Sequence, residues 1–129
     1  MKYLLDTHSL IWFMKGDEKM PDKVRQVIAE NHLNCFVSVA SFWEMSIKIS
    51  LNKLDIGLPF PEVEKWLFDN NLRNILPIDF RHTLQLSQLP FYHRDPFDRT
   101  LLAQALSENI TLVSNEKIFD KYGVKRIWQ

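Results

Sequence analysis

Short apolar runs alternate with stretches of helical period along the chain. Runs at 2–6, 35–39, 74–78, 111–114 and 124–128 are each about five residues long and mostly β-branched, leucine or aromatic, which predicts five strands. Between them, 9–14, 21–32, 40–50, 61–70, 80–88 and 96–108 place apolar residues three and four apart, as on one face of a helix, and 117–122 adds a short helical turn. Pro21, Pro61 and Pro96 suit first helical turns, where a missing N–H costs nothing. In the third of these helices Ala40, Trp43, Ile47 and Leu51 form the expected buried stripe, with Glu44 at its edge. Strands that are apolar on both faces and alternate with helices imply an α/β fold: a mostly parallel five-stranded sheet between two helical layers. No repeat, low-complexity tract or linker interrupts the pattern, so residues 1–129 are expected to form one domain.

An open parallel sheet binds ligands outside the carboxyl ends of its strands, where strand order reverses. Four acids stand at or near such ends. Asp6 closes the first run, in Tyr3-Leu4-Leu5-Asp6-Thr7-His8-Ser9, either as an N-cap or as a functional carboxylate at the tip of a buried strand. Glu44 completes a capping box with Ser41 and an i,i+4 pair with Lys48, and beside a buried stripe it needs a partner, either Lys48 or a metal. In His93-Arg94-Asp95-Pro96-Phe97-Asp98-Arg99, Asp95 is placed as N-cap, whereas Asp98 shares a face with Leu101, Leu102 and Ala105 and is the better candidate for chemistry. Glu116 follows the fourth run, where an acid in a first helical turn has an ordinary structural explanation as well. Gathered at one edge, these carboxylates would raise one another's pKa unless a divalent cation balanced them, and hard oxygen donors suit Mg2+ or Mn2+.

Composition narrows the choice. Sixteen basic residues against sixteen acidic ones leave no global field to attract a polyanion, so such a partner must be held locally. The one cysteine, Cys35, cannot form an internal disulfide, and no apolar run approaches the roughly 18 residues of a membrane span. With Asp6 inside the first apolar run, a signal peptide is disfavoured and a cytoplasmic location expected. The four histidines lack zinc-site spacing, and only His8 and His93 lie beside the acids. There is no G-x-S-x-G elbow, and three glycines do not supply a phosphate loop. A phosphoaspartate phosphatase would need an acid at His8, and a receiver domain a lysine after the last strand, where only Gln129 follows.

Leu4-Leu5-Asp6-Thr7-His8, the segment from Ser38 through Glu44 to Lys48, His93 to Arg99, and Leu112-Val113-Ser114-Asn115-Glu116 together resemble the PIN-domain ribonucleases, and among them the VapC-like toxins of bacterial toxin–antitoxin pairs. The resemblance runs from Leu4 to Trp128, and Asp95-Pro96-Phe97-Asp98-Arg99 followed by Leu102-Ala103-Gln104-Ala105 is its most specific part. It implies a three-layer α/β/α PIN-like domain that cuts single-stranded regions of RNA with one or two Mg2+ or Mn2+ ions. Carried over, Asp6, Glu44 and Asp98 match the family's metal-binding acids; Asp6 and Asp98 would hold the ion, Glu44 would complete the site or orient the attacking water, and Glu116 would help through a water. The family's fourth acid is usually Asp; here it is Glu116, after Asn115, which keeps open a catalytically inactive RNA-binding or assembly module. Thr7 and Asp95 correspond to supporting residues, and Lys48 and Arg99 are expected to steady substrate phosphates. The implied partners are RNA, a protein antitoxin and a second copy of the chain. Trp12, Phe13 and Met14 either contact a partner or pack on the sheet.

Overall fold

The computed structural model describes residues 1–128. Its strands are β1 (Tyr3–Leu5), β2 (Cys35–Ser38), β3 (Asn74–Leu76), β4 (Thr111–Val113) and β5 (Arg126–Ile127). They form one sheet in the order β3-β2-β1-β4-β5, with every pairing parallel. The helices are α1 (Thr7–Lys15), α2 (Asp22–Glu30), α3 (Val39–Ser50), α4 (Val63–Asp69), α5 (Phe80–Ser87) and α6 (Pro96–Glu108), joined by short 3-10 turns at His32–Asn34, Phe60–Glu62 and Lys117–Tyr122. None of these helices is long and apolar enough to cross a membrane.

Strand pleating explains why the central runs are apolar throughout. Leu5, registered between Val37 and Val113, belongs to a core shared with α1, α2 and α4. Leu4, one residue earlier and registered with Leu112, belongs to a second core built mainly from α6 and Phe119 on the opposite face. Successive side chains of a strand point to opposite faces, so a sheet covered on both sides wants an apolar residue at every position. The three-layer expectation is met. Strand order reverses between β1 and β4, which places a crevice at the carboxyl ends of those two strands.

One expectation about a helix face is corrected. Trp43, Ile47 and Leu51 are exposed; α3 instead buries Ala40, Ser41, Glu44 and Met45. Almost every side of this helix is apolar, so periodicity alone does not choose the inward one. Small polar residues choose it: the Ser41 hydroxyl lies 3.0 Å from that of Thr7, both buried, and Ser38 caps the helix through the Ala40 N–H. Seating those residues turns Glu44 inward. In α1, where two alternatives stood open, Met14 is buried and Trp12 and Phe13 pack against the core, as the alternative of packing on the sheet has it.

The fold depends on the central strand. Replacing Leu4 with Ala, at a fully buried position, is expected to cost roughly 2–5 kcal/mol, measured by urea unfolding.

Candidate functional site

Asp6 is the first residue beyond β1 and serves two purposes. Its N–H continues the ladder to the Val113 carbonyl (3.1 Å), while Oδ1 caps α1 by accepting the Ser9 N–H at 2.8 Å. The carboxylate is 2% exposed. Burial holds its pKa above the usual carboxylate range, and hydrogen bonds from Ser114 and Ser9 offset part of that rise. Neither serine was singled out as a site residue from the sequence. Ser9 donates its hydroxyl to Val113 O (2.9 Å), and Ser114 Oγ accepts the Glu116 N–H (3.0 Å), so the ends of β1 and β4 are tied together around Asp6. A hydroxyl residue directly after a strand adjoining β1 is the signal that could have found Ser114.

Glu44 arrives from the other side of the crevice. Its Oε2 accepts from Lys48 Nζ at 2.5 Å, whereas Oε1 is buried with no hydrogen-bond partner. Leaving a buried carboxylate oxygen unpaired is costly, and such atoms concentrate where a ligand completes the site. The bond to Glu44 is the main cause that raises the Lys48 pKa; the charges of Glu44, Asp95 and Asp98 add to it, and partial burial opposes it.

At the start of α6, Asp95 Oδ1 accepts the N–H groups of Phe97 (2.9 Å) and Asp98 (3.0 Å), which is the capping role expected for it. Asp98 is left to face the crevice. Burial pushes its carboxyl up to about 8, and the charges of Asp95, Asp6, Glu44 and Glu116 push in the same direction. The four candidate acids therefore act on one another, yet among the described residues no three of them bring ligand oxygens within 4.8 Å of each other. Only Asp79, His82 and Glu108 meet that spacing, and they are satisfied internally. His82 Nδ1 accepts the Asp79 N–H in a capping box while Nε2 meets Glu108 at 2.8 Å.

Arg99 corrects the phosphate-contact expectation. It is 5% exposed, with Nη1 donating to Pro90 O (2.8 Å) and Nη2 to Leu89 O (3.2 Å), and its guanidinium stacks on Phe91. Its donors hold the loop before α6 rather than facing the crevice. Ser38 and Gln104, also missed, brace β2 against α6 through a 2.5 Å hydrogen bond, and Gln104 Nε2 reaches Pro77 O. His93 has its Nδ1 2.8 Å from the Tyr122 hydroxyl, and its pKa is lowered chiefly by burial and then by Arg99.

Hard carboxylate groups, one of their oxygens unpartnered, lie within range of one another's charge, with Lys48 bonded to Glu44 beside them. This donor set fits a divalent cation of the Mg2+ class.

Asp98 gives a stability test in the metal-free state. Its folded pKa, about 8, lies above the ordinary 3.8, so the folded chain holds a proton that the unfolded chain has lost, and stability falls as pH rises between those values. Asp98→Asn removes that loss. In EDTA its Tm should exceed that of the unsubstituted chain by about 5 °C or more at pH 8.5, with the gap shrinking toward pH 4.5.

The PIN domain model matches residues 3–125. No curated protein sequence matches the chain significantly. Among solved structures, the fold resembles VapBC2 from Rickettsia felis bound to a promoter DNA fragment, at 18% identity and a TM-score of 0.73, covering all of both chains. It also resembles DNA-bound VapBC from Salmonella typhimurium, at 19% identity and a TM-score of 0.73, covering 100% of this chain and 99% of that one. FitAcB from Neisseria gonorrhoeae matches at 18% identity and a TM-score of 0.67, covering 97% of this chain and 96% of that one. With acids at the carboxyl edge of a five-stranded parallel sheet and a family match over nearly its whole length, this chain belongs to the PIN domain family.

Proposed function

We propose that the chain is a divalent-metal-dependent endoribonuclease that hydrolyses phosphodiester bonds in single-stranded RNA, and that it is the toxin of a toxin–antitoxin pair. The observation that carries this reading is the buried, unpartnered Oε1 of Glu44 beside Asp98, a carboxyl pushed to about 8 by burial and by neighbouring acids. Asp6 and Asp98 are the proposed ligands of Mg2+ or Mn2+, with Glu44 and Glu116 acting through water. Bound there, the ion would neutralise phosphate charge and acidify a water for in-line attack. The chain's own residues do the remainder. Glu44 Oε1 accepts a hydrogen bond from the attacking water and so fixes its direction. Ser9 and Ser114 hold Asp6 in place, and the buried Thr7–Ser41 contact holds the two helix starts that carry Asp6 and Glu44. Lys48, part-exposed beside Glu44, would steady a substrate phosphate.

The neighbouring structures are VapBC and FitAB complexes, which supports a protein antitoxin as partner here. The homodimer reading draws on α3, whose Val39, Trp43 and Ile47, together with Leu51, leave an apolar stripe in solvent. One PIN-like domain spanning residues 1–129 in the cytoplasm completes the proposal.

Incubated with structured RNA and Mg2+ or Mn2+, the chain is expected to cut, and EDTA to abolish cutting. Asp6→Asn and Asp98→Asn should each lower the rate by at least about a hundredfold, the upper range for loss of a residue that merely supports a metal ligand. Equal cutting by chain and variants would refute the site. RNA binding without cutting under any metal would instead favour the inactive binding module that Glu116 leaves open. Ile47→Glu is expected to halve the light-scattering mass if the α3 stripe is the dimer contact, and an unchanged dimer mass would remove that stripe from the interface.

A further inference from the structure

His93 presents a second unpartnered buried atom at the crevice. Its Nε2 is shielded from solvent, has no hydrogen-bond partner, and lies 3.9 Å from Asp98 Oδ2. The other side of the ring is fully engaged. Nδ1 is 2.8 Å from Tyr122 Oη, and the ring packs against Phe119 and Tyr122 with centroids 5.3 and 5.4 Å away.

The surroundings of Tyr122 decide which nitrogen carries the proton. Its phenol oxygen accepts the backbone N–H groups of Tyr92 (3.0 Å) and His93 (3.1 Å), with Arg99 Nη1 a third donor at 3.4 Å. A phenol has two lone pairs and one proton, and both lone pairs are taken. Of the groups hydrogen-bonded to it, only His93 Nδ1 can accept the proton, so Nδ1 is unprotonated. The neutral ring then carries its hydrogen on Nε2, on the side of Asp98.

We propose that His93, locked as the Nε2–H tautomer by Tyr122, is a positioning residue that donates to Asp98 Oδ2 and orients that carboxylate for metal binding. This rests on the assignment of Asp98 as a metal ligand. A displacement of about 1 Å by either side chain brings the pair to hydrogen-bond length. Ligand carboxylates are commonly fixed by such an outer hydrogen bond, and losing it costs about 10–100-fold in metal affinity. The motif thereby gains a second function: the segment that supplies Asp98 also supplies the group that aims it, and Tyr122, far along the chain, sets the tautomer.

The test measures binding rather than catalysis. Mn2+ titrations of the full chain are followed by proton relaxation, without RNA, for the unsubstituted protein, His93→Phe, His93→Gln, Tyr122→Phe and Asp98→Asn, each first checked for a cooperative thermal transition. Long-range 1H–15N spectra of the imidazole report the tautomer directly. The expected result is an Nε2–H tautomer that becomes mixed in Tyr122→Phe. Mn2+ binding should weaken about tenfold or more in His93→Phe and recover substantially in His93→Gln, whose amide N–H stands near the Nε2 position. An Nδ1–H tautomer, or His93→Phe binding as tightly as the unsubstituted chain while Asp98→Asn binds weakly, would overturn the proposal and leave the metal site standing. Unchanged binding in Asp98→Asn would overturn the metal-site reading itself, and the role of His93 with it.

Discussion

Carboxylates that repel one another in a partly desolvated crevice set the terms for this molecule. All five strands run in one direction, so the segments leaving β1, β2 and β4 emerge at a common edge, and α6 begins over the same place. Asp6, Glu44, Asp98 and Glu116 are thereby brought within range of each other's charge, and Asp98 shows the consequence in a carboxyl raised to about 8. A fold selected for stability alone would replace such a cluster with neutral or apolar groups. It sits beside two well-packed cores, so the electrostatic cost is confined to the carboxyl edge of the sheet.

The surrounding architecture supports that placement. Ser38 and Ser114 at the strand ends, with Ser9 in α1 and Gln104 within α6, form hydrogen bonds that tie the strand ends to the helices. Ser41 and Thr7 let α3 approach closely enough to turn Glu44 inward. Arg99 secures the chain before α6 by holding the carbonyls of Leu89 and Pro90, and Tyr122 gathers the next backbone amides. Thus residues near the acids in sequence divide into groups that face the crevice and groups that hold its rim.

Much of this was legible from sequence. Five apolar runs became five parallel strands, because runs that are apolar on both faces have few other homes. Asp6, Asp95 and Asp98 were assigned from strand and helix ends, and their positions hold. What failed has physical reasons. The face of α3 was misjudged because Trp43 and Ile47 carry more hydrophobicity than Ala40 and Ser41, whereas the helix docks through its small residues. Arg99 looked like a surface cation because the loop that buries it, with Leu89, Pro90 and Phe91, gives no periodic signal. The tautomer of His93 depends on Tyr122, 29 positions away in sequence, and no local pattern encodes that contact. At Asp6 the capping alternative is what the structure displays, and capping uses only one of the two carboxylate oxygens.

If a divalent cation completes the carboxylate crevice, its binding must displace the protons held there. Calorimetric titration of Mn2+ into the metal-free chain at pH 7, repeated in two buffers of different ionisation enthalpy, counts protons released on binding. A carboxyl at about 8 is mostly protonated at that pH, so binding should release protons, and fewer of them in Asp98→Asn. Absence of binding, or binding with no proton released, would contradict a crevice completed by the cation.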